Sequence, residues 1–591
     1  MLIKKKEIAL LLIFLSLVVT NLFAENYYFK RYDKENGLSQ QTVFCAVQDR
    51  RGFLWFGTKV GLNRFDGTKF KNYVADPEQP NSLPNNTVLA LAEAPDGSLW
   101  LGTSDGLCIY NPEKDTFAPF VSADLTIEGL IDNLVFDKQG NLWVINSKGI
   151  YCLDVKNGNH KFFPASDFFV PTGIAVTQSG SVWVLGLDGN IYLFNPQRME
   201  FSSYPILTKE EKTKHILLYR ILECSNGDLV VTTDRIGARR FSPNNGEVKV
   251  LFSNDSQNNP IYIHTAIQRN KDEFWFGTES GIHIYQLDLG FIDHLQKSYN
   301  DAYSLSDNAV HMLLKDREEG IWVGTFFGGV NYLSNNNTLF DKYLPKDEKG
   351  SIKANVIREI HPDVEGNLWV GTEDGGLCYF DTKTKVFRAL TNLKWDGRPI
   401  SKNIQCLLVD KNMIWIGTFD SGIYLFDLKS QNIINHFCSE NTGSGLLVNG
   451  IVCFRKTSFN EILVGTMGGL YRYVESKNRF EIVPQLDWGL VHSIYEDLDH
   501  TLWVVTMGRG LFTFKYNGIH EKITVKTMPF ISNYITTIFE DSRKRLWIGT
   551  EGNGLFLYDR TDGTFTQTLS KLDYSGQIIY QIIEDATGML W

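Results

Sequence analysis

The sequence predicts an all-β fold: two tandem seven-bladed β-propellers of four-stranded antiparallel blades, the second of them truncated. Three observations lead to this fold. A unit of about 45 residues recurs along the chain, and each copy holds four short apolar or alternating runs separated by Gly, Asn and Asp turns. No stretch has the helical periodicity that βαβ units would need. Four strands in about 40 to 50 residues is typical of a propeller blade.

Each unit is anchored on a Leu-Trp-hydrophobic-Gly-Thr strand, as in 54–58 and 546–550. This strand follows an apolar run that ends in Asp and a tight turn, and it precedes a Gly-Leu-x-x-aromatic run and a final aromatic run. Eleven copies keep the tryptophan, two replace it with another apolar residue, and successive anchors are 40 to 48 residues apart. The anchors are Trp55, Trp100, Trp143, Trp183, Val230, Trp275, Trp322, Trp369, Trp415, Leu463, Trp503, Trp547 and Trp591.

Thirteen units exceed the four to eight blades that one ring usually holds, so two rings are expected. Seven anchors, from Trp55 to Trp322, fit the first ring, and six, from Trp369 to Trp591, fit an interrupted second ring. We therefore divide the chain into a signal peptide at residues 1–24, a first propeller at 25–345 and a second propeller at 346–591. The last residues fall within a blade's second strand, which predicts that the sequence is part of a longer protein.

The segment Phe29-Lys30-Arg31-Tyr32 copies the last strand of a blade, although the three strands that should precede it are missing. It is expected to close a ring by completing a blade that begins elsewhere in the chain. Whether it joins the Trp322 blade, or the rings close in another way, is left open by the sequence.

The start of the chain predicts export. Lys4 to Lys6 form a basic start, Ile8 to Val19 a 12-residue apolar core, and Ala24 a possible last residue before cleavage. An uncleaved membrane anchor is the alternative. We therefore expect the protein to be exported.

Charge and cysteine spacing exclude several other classes. The net charge is −10, from 58 basic and 68 acidic side chains, and it forms neither a basic face nor an acidic tail. Nucleic acid is therefore not expected as a partner. The eight cysteines are scattered without a CxxC pair, so neither a zinc site nor a disulfide framework is predicted.

The residues that recur in every unit are predicted to be structural. An Asp precedes the tight turn in eight units, and a catalytic acid would be needed only once. The Gly of Gly-Thr is expected to make room for an aromatic ring of the neighbouring blade. No HExxH or Gly-x-Ser-x-Gly pattern is present. We therefore expect no catalytic residues, no metal site and no cofactor. The eight acids are Asp49, Asp137, Asp316, Asp363, Asp410, Asp497, Asp541 and Asp585.

Function is better sought where the repeat is broken. Because strand direction alternates, the loop after a blade's second strand and the connection to the next blade should lie on one face of the ring, where sequence variation carries function. Aromatic rings and a planar donor at such positions suit the C–H face and hydroxyls of a sugar. The alternative is that each aromatic side chain packs against its own loop or lies in the contact between the two propeller rings. The candidate ligand-binding residues are Trp395, Trp488, Phe326, Phe327 and Arg509.

The repeats resemble the two-component regulator propeller repeat, most clearly at 49–58, 316–325 and 363–372 with the glycines that follow. This family forms the paired seven-bladed sensor region of large hybrid histidine kinases of Bacteroidetes. Its members typically continue into an immunoglobulin-like domain, a transmembrane helix, a histidine kinase core and often a receiver with a DNA-binding domain. They sense breakdown products of complex polysaccharides.

The resemblance implies a non-enzymatic periplasmic sensor that binds an oligosaccharide, pairs as a homodimer through its parent receptor and regulates polysaccharide utilisation genes. It also implies that this sensor is the ectodomain of an inner-membrane protein and contacts the membrane through a segment beyond the C-terminal residue of this sequence. The kinase activity would belong to the parent protein. Two alternatives remain: an exported polysaccharide-degrading propeller enzyme, and a secreted scaffold that binds another protein. Exposed aromatic residues serve protein interfaces as readily as sugars.

Overall fold

The computed structural model describes residues 27–121, 125–166, 169–255, 257–335, 341–346, 348–484, 486–515, 526–528, 534–568 and 578–591. The predicted signal peptide at 1–24 lies outside these residues. The chain divides into two compact units, Met1–Leu339 and Phe340–Trp591. Within the described residues, no helix is both long enough and apolar enough to cross a membrane.

Unit 1 contains seven four-stranded antiparallel sheets, which we number as blades 1 to 7. Within each blade, strands a to d follow one another in hydrogen-bonded order. Blades 1 to 3 are β2 (Val43–Gln48), β3 (Leu54–Thr58), β4 (Gly61–Phe65) and β5 (Phe70–Tyr73); β6 (Val88–Glu93), β7 (Leu99–Thr103), β8 (Gly106–Asn111) and β9 (Thr116–Pro119); and β10 (Asn133–Phe136), β11 (Asn141–Asn146), β12 (Gly149–Asp154) and β13 (His160–Pro164).

Blades 4 to 6 are β14 (Pro171–Val176), β15 (Val182–Gly186), β16 (Asn190–Asn195) and β17 (Glu200–Pro205); β18 (Leu218–Glu223), β19 (Leu229–Thr233), β20 (Ala238–Ser242) and β21 (Glu247–Phe252); and β22 (Ile263–Gln268), β23 (Glu273–Thr278), β24 (Gly281–Gln286) and β25 (Gly290–Leu295). Blade 7 consists of β26 (Val310–Lys315), β27 (Ile321–Thr325), β28 (Val330–Leu333) and, as its fourth strand, β1 (Lys30–Tyr32). A short helix, α1 (Lys209–Lys212), lies between blades 4 and 5.

Unit 2 contains five four-stranded blades among its described residues, numbered 8 to 12. Blades 8 to 10 are β29 (Ile357–Pro362), β30 (Leu368–Thr372), β31 (Leu377–Asp381) and β32 (Val386–Ala389); β35 (Ile404–Asp410), β36 (Met413–Thr418), β37 (Ile423–Asp427) and β38 (Asn432–Phe437); and β39 (Ile451–Lys456), β40 (Ile462–Thr466), β41 (Gly469–Val474) and β42 (Arg479–Ile482).

Blades 11 and 12 are β43 (Val491–Glu496), β44 (Thr501–Thr506), β45 (Gly510–Lys515) and β46 (Lys526–Met528), and β47 (Ile535–Glu540), β48 (Leu546–Thr550), β49 (Leu555–Tyr558) and β50 (Phe565–Gln567). A two-stranded hairpin, β33 (Lys394–Trp395) and β34 (Arg398–Pro399), is inserted between blades 8 and 9. Two single 3-10 turns lie at Thr442–Ser444 and Glu475–Lys477. A bridge between Glu584 and Leu590 follows blade 12.

The first strands of neighbouring blades lie side by side around an axis. In unit 1 each strand a contacts strand a of the next blade, and β26 of blade 7 contacts β2 of blade 1, so the seven inner strands close a ring. In unit 2 the inner strands β29, β35, β39, β43 and β47 form the same succession. The predicted fold class, tandem propellers of four-stranded blades, is confirmed.

The N-terminal strand closes the first ring. β1 pairs antiparallel with β28, with Lys30 opposite Tyr332 and Tyr32 opposite Val330. The Tyr32 ring stacks on Trp322 with centroids 5.9 Å apart. Of the two possibilities that the sequence left open, the structure therefore selects the Trp322 blade.

The acids before the tight turns hold the anchor tryptophans. Asp49 Oδ2 accepts a hydrogen bond from Trp55 Nε1 at 2.9 Å, while its Oδ1 accepts the backbone N–H groups of Arg51 and Phe53. One carboxylate thus shapes the turn and satisfies a buried indole, so the predicted structural role of these acids is confirmed. The same Asp–Trp bond, at 2.8 or 2.9 Å, joins Asp137 to Trp143, Asp316 to Trp322, Asp497 to Trp503, Asp541 to Trp547 and Asp585 to Trp591.

Seven of the thirteen units depart from this pattern: five lack the acid, and in two the acid binds another group. Blade 2 has Ala94 in place of the acid, and the Trp100 Nε1 is buried without a hydrogen-bond partner among the described residues. Asp363 binds the Tyr379 hydroxyl at 2.9 Å instead of an indole. Asp410 accepts from Lys456 Nζ at 2.7 Å. The acid is therefore a general turn-former, and the indole is its usual but not its invariable partner.

In blades 1 to 11 the anchor side chain packs against strand b of the next blade of its unit. Trp100 of blade 2 lies in one hydrophobic cluster with Leu142 and Val144 of blade 3. Trp322 of blade 7 packs in the same way on Leu54 and Phe56 of blade 1, which completes the circle. A single four-stranded sheet cannot bury both of its faces, so these contacts between blades form the core of each unit.

The Gly of Gly-Thr recurs among the units for a different reason from the one expected. A Cβ on Gly57 would lie 2.4 Å from Cys45 Sγ in its own blade and 2.9 Å from Val88 Cγ1 in the next. A Cβ on Gly324 would lie 2.8 Å from Val43 Cγ1. The prediction that this Gly makes room for a neighbouring aromatic ring was therefore wrong: the neighbour is the aliphatic residue that opens the next inner strand, because inner strands converge near the axis.

The loop after strand b and the connection between blades share one face of the ring, as predicted. Lys59 N, in the b–c loop of blade 1, donates to Thr42 O just before strand a. Gly61 N donates to Asn86 O in the connection to blade 2. We call this side of each ring the front face.

We predict that Asp49→Ala lowers the free energy of unfolding by about 2–3 kcal/mol, because a buried indole N–H and two turn N–H groups lose their acceptor. Asp66→Ala is the matched control, since Asp66 Oδ1 also accepts turn N–H groups, from Thr68 and Lys69, but binds no indole. The control is expected to change stability by less than about 1 kcal/mol. Urea unfolding of both variants checks this, and equal losses would contradict the role of the Asp–Trp bond.

Candidate functional site

The inner strands carry a β-bulge at their second residue. In β22, Ile263 pairs with Thr278 and Thr265 with Gly277, so His264 is the extra residue. A bulge of this kind bends the strand and re-aims a side chain. All described inner strands except β10 have such a register shift. The bulged positions are Phe44, Leu89, Thr172, Tyr219 with Arg220, His264, His311, Arg358, Gln405, Val452, His492 and Thr536.

The first residue of the b–c loop lies over the bulge of its own blade. Phe326 N donates to Ala309 O at 2.9 Å, which brings the loop back to the start of strand a. As a result, three side-chain pairs form between residues 15 positions apart: His264 with Glu279, His311 with Phe326, and Arg358 with Glu373. The repeat thus places two variable side chains of each blade together on the front face.

In unit 1 these positions of blades 5 to 7 join into one cluster. We define the rim cluster as Tyr219, His264, Glu279, His311, Phe326 and Phe327. Its rings contact in sequence, with centroid distances of 5.8 Å for Tyr219–His264, 4.1 Å for His264–His311, 5.2 Å for His311–Phe326 and 4.7 Å for Phe326–Phe327. Neighbouring inner strands place equivalent bulges side by side, which explains the continuous arc.

Glu279 supplies the negative charge of the rim cluster. Its Oε1 lies 2.5 Å from His264 Nε2 and 3.6 Å from His311 Nε2. Burial, followed by the repulsion of the facing His264 imidazole, lowers the pKa of His311 to about 4. His311 is therefore neutral at physiological pH, with a lone pair available on one ring nitrogen.

A cavity of about 350 Å³ follows the axis of unit 1. It is lined by residues of the inner strands, including Phe44, Leu91, Asp132, Arg220 and His311. Arg220 reaches from blade 5 to blade 3, where its Nη1 donates to Asn133 Oδ1 at 2.8 Å. The volume is at the lower end of the range for small-molecule sites, about 300–1,000 Å³. The cavity and the rim cluster share His311, so they form one continuous surface.

The structure separates the five predicted ligand-binding residues into groups. Phe326 and Phe327 belong to the rim cluster of unit 1, where Phe326 is half-buried against His311 and Phe327 is 69% exposed. The other three belong to unit 2. Within unit 2, the structure brings Trp488 and Arg509 together and places Trp395 in another connection.

Trp488 and Arg509 form a stacked pair on the front face of unit 2. The Arg509 guanidinium lies 3.5 Å from the centroid of the indole, and its Nη1 donates to Trp488 O at 3.0 Å. Trp488 nevertheless remains 59% exposed. Because the guanidinium covers one face of the ring, the other face is accessible to a ligand.

Trp395 lies in the inserted hairpin β33–β34. It is half-buried against the hydrophobic cluster between blades 8 and 9, and its ring meets His436 edge-on at 6.3 Å. His436 is itself stacked on Tyr424 at 4.1 Å. Much of this indole therefore packs its own hairpin against blade 9. This is the alternative that the sequence left open for each candidate aromatic side chain.

Sequence reasoning missed His264, Glu279, His311 and Arg220. Local spacing patterns such as HExxH do not find them, because their side chains come from separate strands and loops. The signal was nonetheless present: the residue after the first apolar residue of strand a, and the residue after Gly-Thr, vary from unit to unit. Aligning the thirteen units at these two positions would have identified the cluster.

Two arginines of the fifth repeat, in which Val230 replaces the anchor tryptophan, bind carboxylates of the same chain. Arg239 is fully buried, and its Nη2 donates to Glu211 Oε1 at 2.8 Å. Arg240 Nε donates to Asp228 Oδ2 at 2.6 Å. Both guanidiniums stabilise blade 5, and this accounts for their presence.

An acidic side chain lies on the inner strand of blade 8. Glu359 follows the bulge residue Arg358 and is largely desolvated near Cys406 and Cys453. Burial raises the pKa of the Glu359 carboxyl from its ordinary 4.5 to about 7. Burial likewise raises the pKa of the Cys453 thiol to about 12. All eight cysteines are free, and these inner-strand thiols are unreactive at neutral pH.

Comparison with known proteins identifies the repeat. Residues 37–59, 82–105 and 529–552 match the family model of the two-component regulator propeller. The chain therefore carries two-component regulator propeller repeats. A histidine kinase of Formosa agariphila is 49% identical over 53 residues, which is 9% of this chain and 4% of the kinase. The chain thus aligns with only a small part of that relative's length.

A solved structure shares the fold. The extracellular domain of a protein described as a hybrid two-component system of B. thetaiotaomicron is 23% identical with a TM-score of 0.57, over 96% of this chain and 82% of that one. A virginiamycin B lyase of Staphylococcus aureus is 12% identical with a TM-score of 0.42, over 52% of this chain and 99% of that one. The first similarity supports the tandem propeller architecture.

We predict that Glu359 makes the chain less stable as the pH rises from about 4.5 to about 7, because the folded state keeps a proton that the unfolded state releases. Above about pH 7 the cost is constant, at most about 3 kcal/mol. Glu359→Gln should therefore gain stability over wild type at about pH 8 and match it near pH 4.5. Urea midpoints across this range test the expectation. The exposed Glu365→Gln is the control, and a gain that does not depend on pH would contradict it.

Proposed function

We propose that this chain, which carries two-component regulator propeller repeats, is the extracytoplasmic sensing part of a hybrid two-component histidine kinase. The observation that carries the proposal is the repeat itself, matched at three places by the family model and found in every unit of the sequence. The local match to a histidine kinase supports the same assignment. In this view the chain is exported by residues 1–24, acts in the periplasm and does no chemistry of its own.

The ligand we propose is an oligosaccharide released from a polysaccharide. Sugars bind through flat apolar faces that meet aromatic rings and through hydroxyls that meet planar donors. Trp488 with Arg509 offers both in unit 2, and Phe327 with the neighbouring polar groups of the rim cluster offers both in unit 1. Trp395 is a third candidate aromatic, with less of its ring accessible.

Signalling would follow from a change in how two receptor copies associate. We propose that the chain pairs as a homodimer through its parent receptor and that ligand binding shifts this pairing, which in turn switches the kinase and the genes for using the polysaccharide. Symmetric dimers are the commonest homo-oligomers. The membrane is reached through a segment that follows the propellers.

The test is binding of oligosaccharide fragments of plant, algal and fungal polysaccharides to the purified chain, measured by titration calorimetry. We expect one fragment class to bind without being cleaved. Trp488→Ala should weaken that binding at least about tenfold, as when an aromatic anchor is removed from an interface. Arg509→Ala should weaken it in the same direction.

Phe459→Ala is the matched control, because Phe459 is an exposed aromatic of unit 2 in an a–b turn, at the opposite ends of the strands from the front face. Its variant should bind the ligand like wild type. Unchanged affinity in a folded Trp488→Ala variant would remove that residue from the site. Cleavage of a fragment would instead favour the exported enzyme, and binding of no fragment would favour a protein-binding scaffold.

A further inference from the structure

Three ligand atoms of the rim cluster converge on one small volume. One nitrogen of His264, one nitrogen of His311 and a carboxylate oxygen of Glu279 all lie within 4.8 Å of one another. The two imidazoles come from adjacent inner strands, β22 and β26, and the carboxylate comes from the b–c loop of blade 6. We propose that His264, Glu279 and His311 bind a divalent transition-metal ion, with Zn²⁺ as the expected occupant.

The donor set selects the class of metal. Two imidazole nitrogens and one carboxylate oxygen are the ligands of open zinc sites, in which a fourth position is left for water or another molecule. Ca²⁺ and Mg²⁺ instead take sets made mostly of oxygen. Imidazole favours the later first-row ions, so Zn²⁺, Ni²⁺ and Cu²⁺ fit this site better than Mn²⁺.

The distances fit such an ion once the Glu279 side chain and one imidazole move. Zinc bonds of about 2.0–2.2 Å in a tetrahedron place ligand atoms about 3.3 Å apart. Glu279 Oε1 now lies 2.5 Å from His264 Nε2 and 3.6 Å from His311 Nε2, on either side of that value. The Glu279 side chain is 52% exposed and therefore has room to adjust.

The two imidazoles lie side by side before any ion binds. Their rings stack at 4.1 Å with 16° between the planes, and Tyr219 and Phe326 flank the stack on either side. His264 and His311 both occupy bulges, whose backbone is fixed by the strand pairing around them. Because the stacked rings are nearly parallel, the nitrogen lone pairs in their planes do not converge on one point, so one imidazole rotates about its side-chain bonds when both bind the same ion. The exposed carboxylate leaves the site open to solvent, so that an ion can enter and keep a free coordination position.

A second stacked histidine pair lies in blade 6, and comparing it with the rim cluster shows which feature is particular to the proposed site. His283 and His294 stack at 3.8 Å, but their Nε2 atoms are hydrogen-bonded to Ser280 Oγ and Ser280 O. Both of these nitrogens are occupied by neutral groups of the chain. The carboxylate facing both imidazoles is therefore the feature that distinguishes the proposed site.

The experiment titrates the purified, untagged chain with ZnCl₂ alone, after treatment with a chelator, in competition with a chromophoric chelator. We expect one equivalent of zinc per chain at this site. Glu279→Gln and His311→Ala should each weaken binding at least about tenfold, since even loss of an outer-shell partner costs about 10–100-fold. His294→Ala, which disrupts the other stacked pair, should leave the affinity unchanged. Co²⁺ in place of zinc should give visible absorption that Glu279→Gln abolishes.

Glu279→Gln keeps the size of an exposed side chain, so its folding can be verified by circular dichroism independently of binding. No uptake of zinc by the wild-type chain would overturn the proposal. Equal affinity of the wild type, Glu279→Gln and His311→Ala would overturn it as well, since the zinc would then lie elsewhere. The assay contains no sugar, and its result does not depend on the oligosaccharide proposed above.

Discussion

The contact between the anchor side chain of one blade and strand b of the next is the interaction on which both units depend. A four-stranded sheet alone leaves one apolar face in water, and only a neighbour with the same sheet can cover it. Trp322 packing on Leu54 and Phe56 makes this succession circular in unit 1. The Asp before the turn serves the same contact, since it holds the indole ring in position through its Nε1 while shaping the turn that precedes it. Where the acid is absent, as at Ala94, the blade still forms, because burial of the ring provides most of the stabilisation.

This constraint also explains where function is located. At positions that face a neighbouring blade, packing restricts the residue type to the one that recurs in the repeat. Variation is therefore found on the front face, at the bulge of strand a and at the first residue of the b–c loop. The bulge turns a side chain toward the axis, and the loop brings a second side chain over it. In most blades these positions carry unrelated residues, whereas in blades 5 to 7 they join two imidazoles, a carboxylate and three aromatic rings. A chemically distinct surface thus arises from the ordinary geometry of the repeat.

Much of the architecture was predictable because the periodic features of the sequence reflect interactions within a single strand, turn or blade. The anchor spacing and the strand alternation recur in thirteen units, the tryptophan in eleven and the turn acid in eight, so errors in single units average out. The predicted reason for the Gly of Gly-Thr was wrong, since its neighbour depends on how closely inner strands converge rather than on its own sequence. Among the candidate site residues, Phe326 and Phe327 are adjacent in sequence, whereas Trp488 and Arg509 meet because a connection between blades and a b–c loop share the front face. Trp395 differed because an inserted hairpin covers part of its ring.

The sequence by itself determined the repeat, the number of strands in each unit and the structural role of the turn acids, because each depends on residues within about 45 positions of one another. Only the tertiary structure decided that β1 completes blade 7, and that His264, Glu279 and His311 meet at one rim. The physical reason is the closure of the ring. Closure brings the first strand of the chain to blade 7 and sets equivalent bulges of successive blades side by side, at distances fixed by the packing of whole blades rather than by the spacing of any local motif.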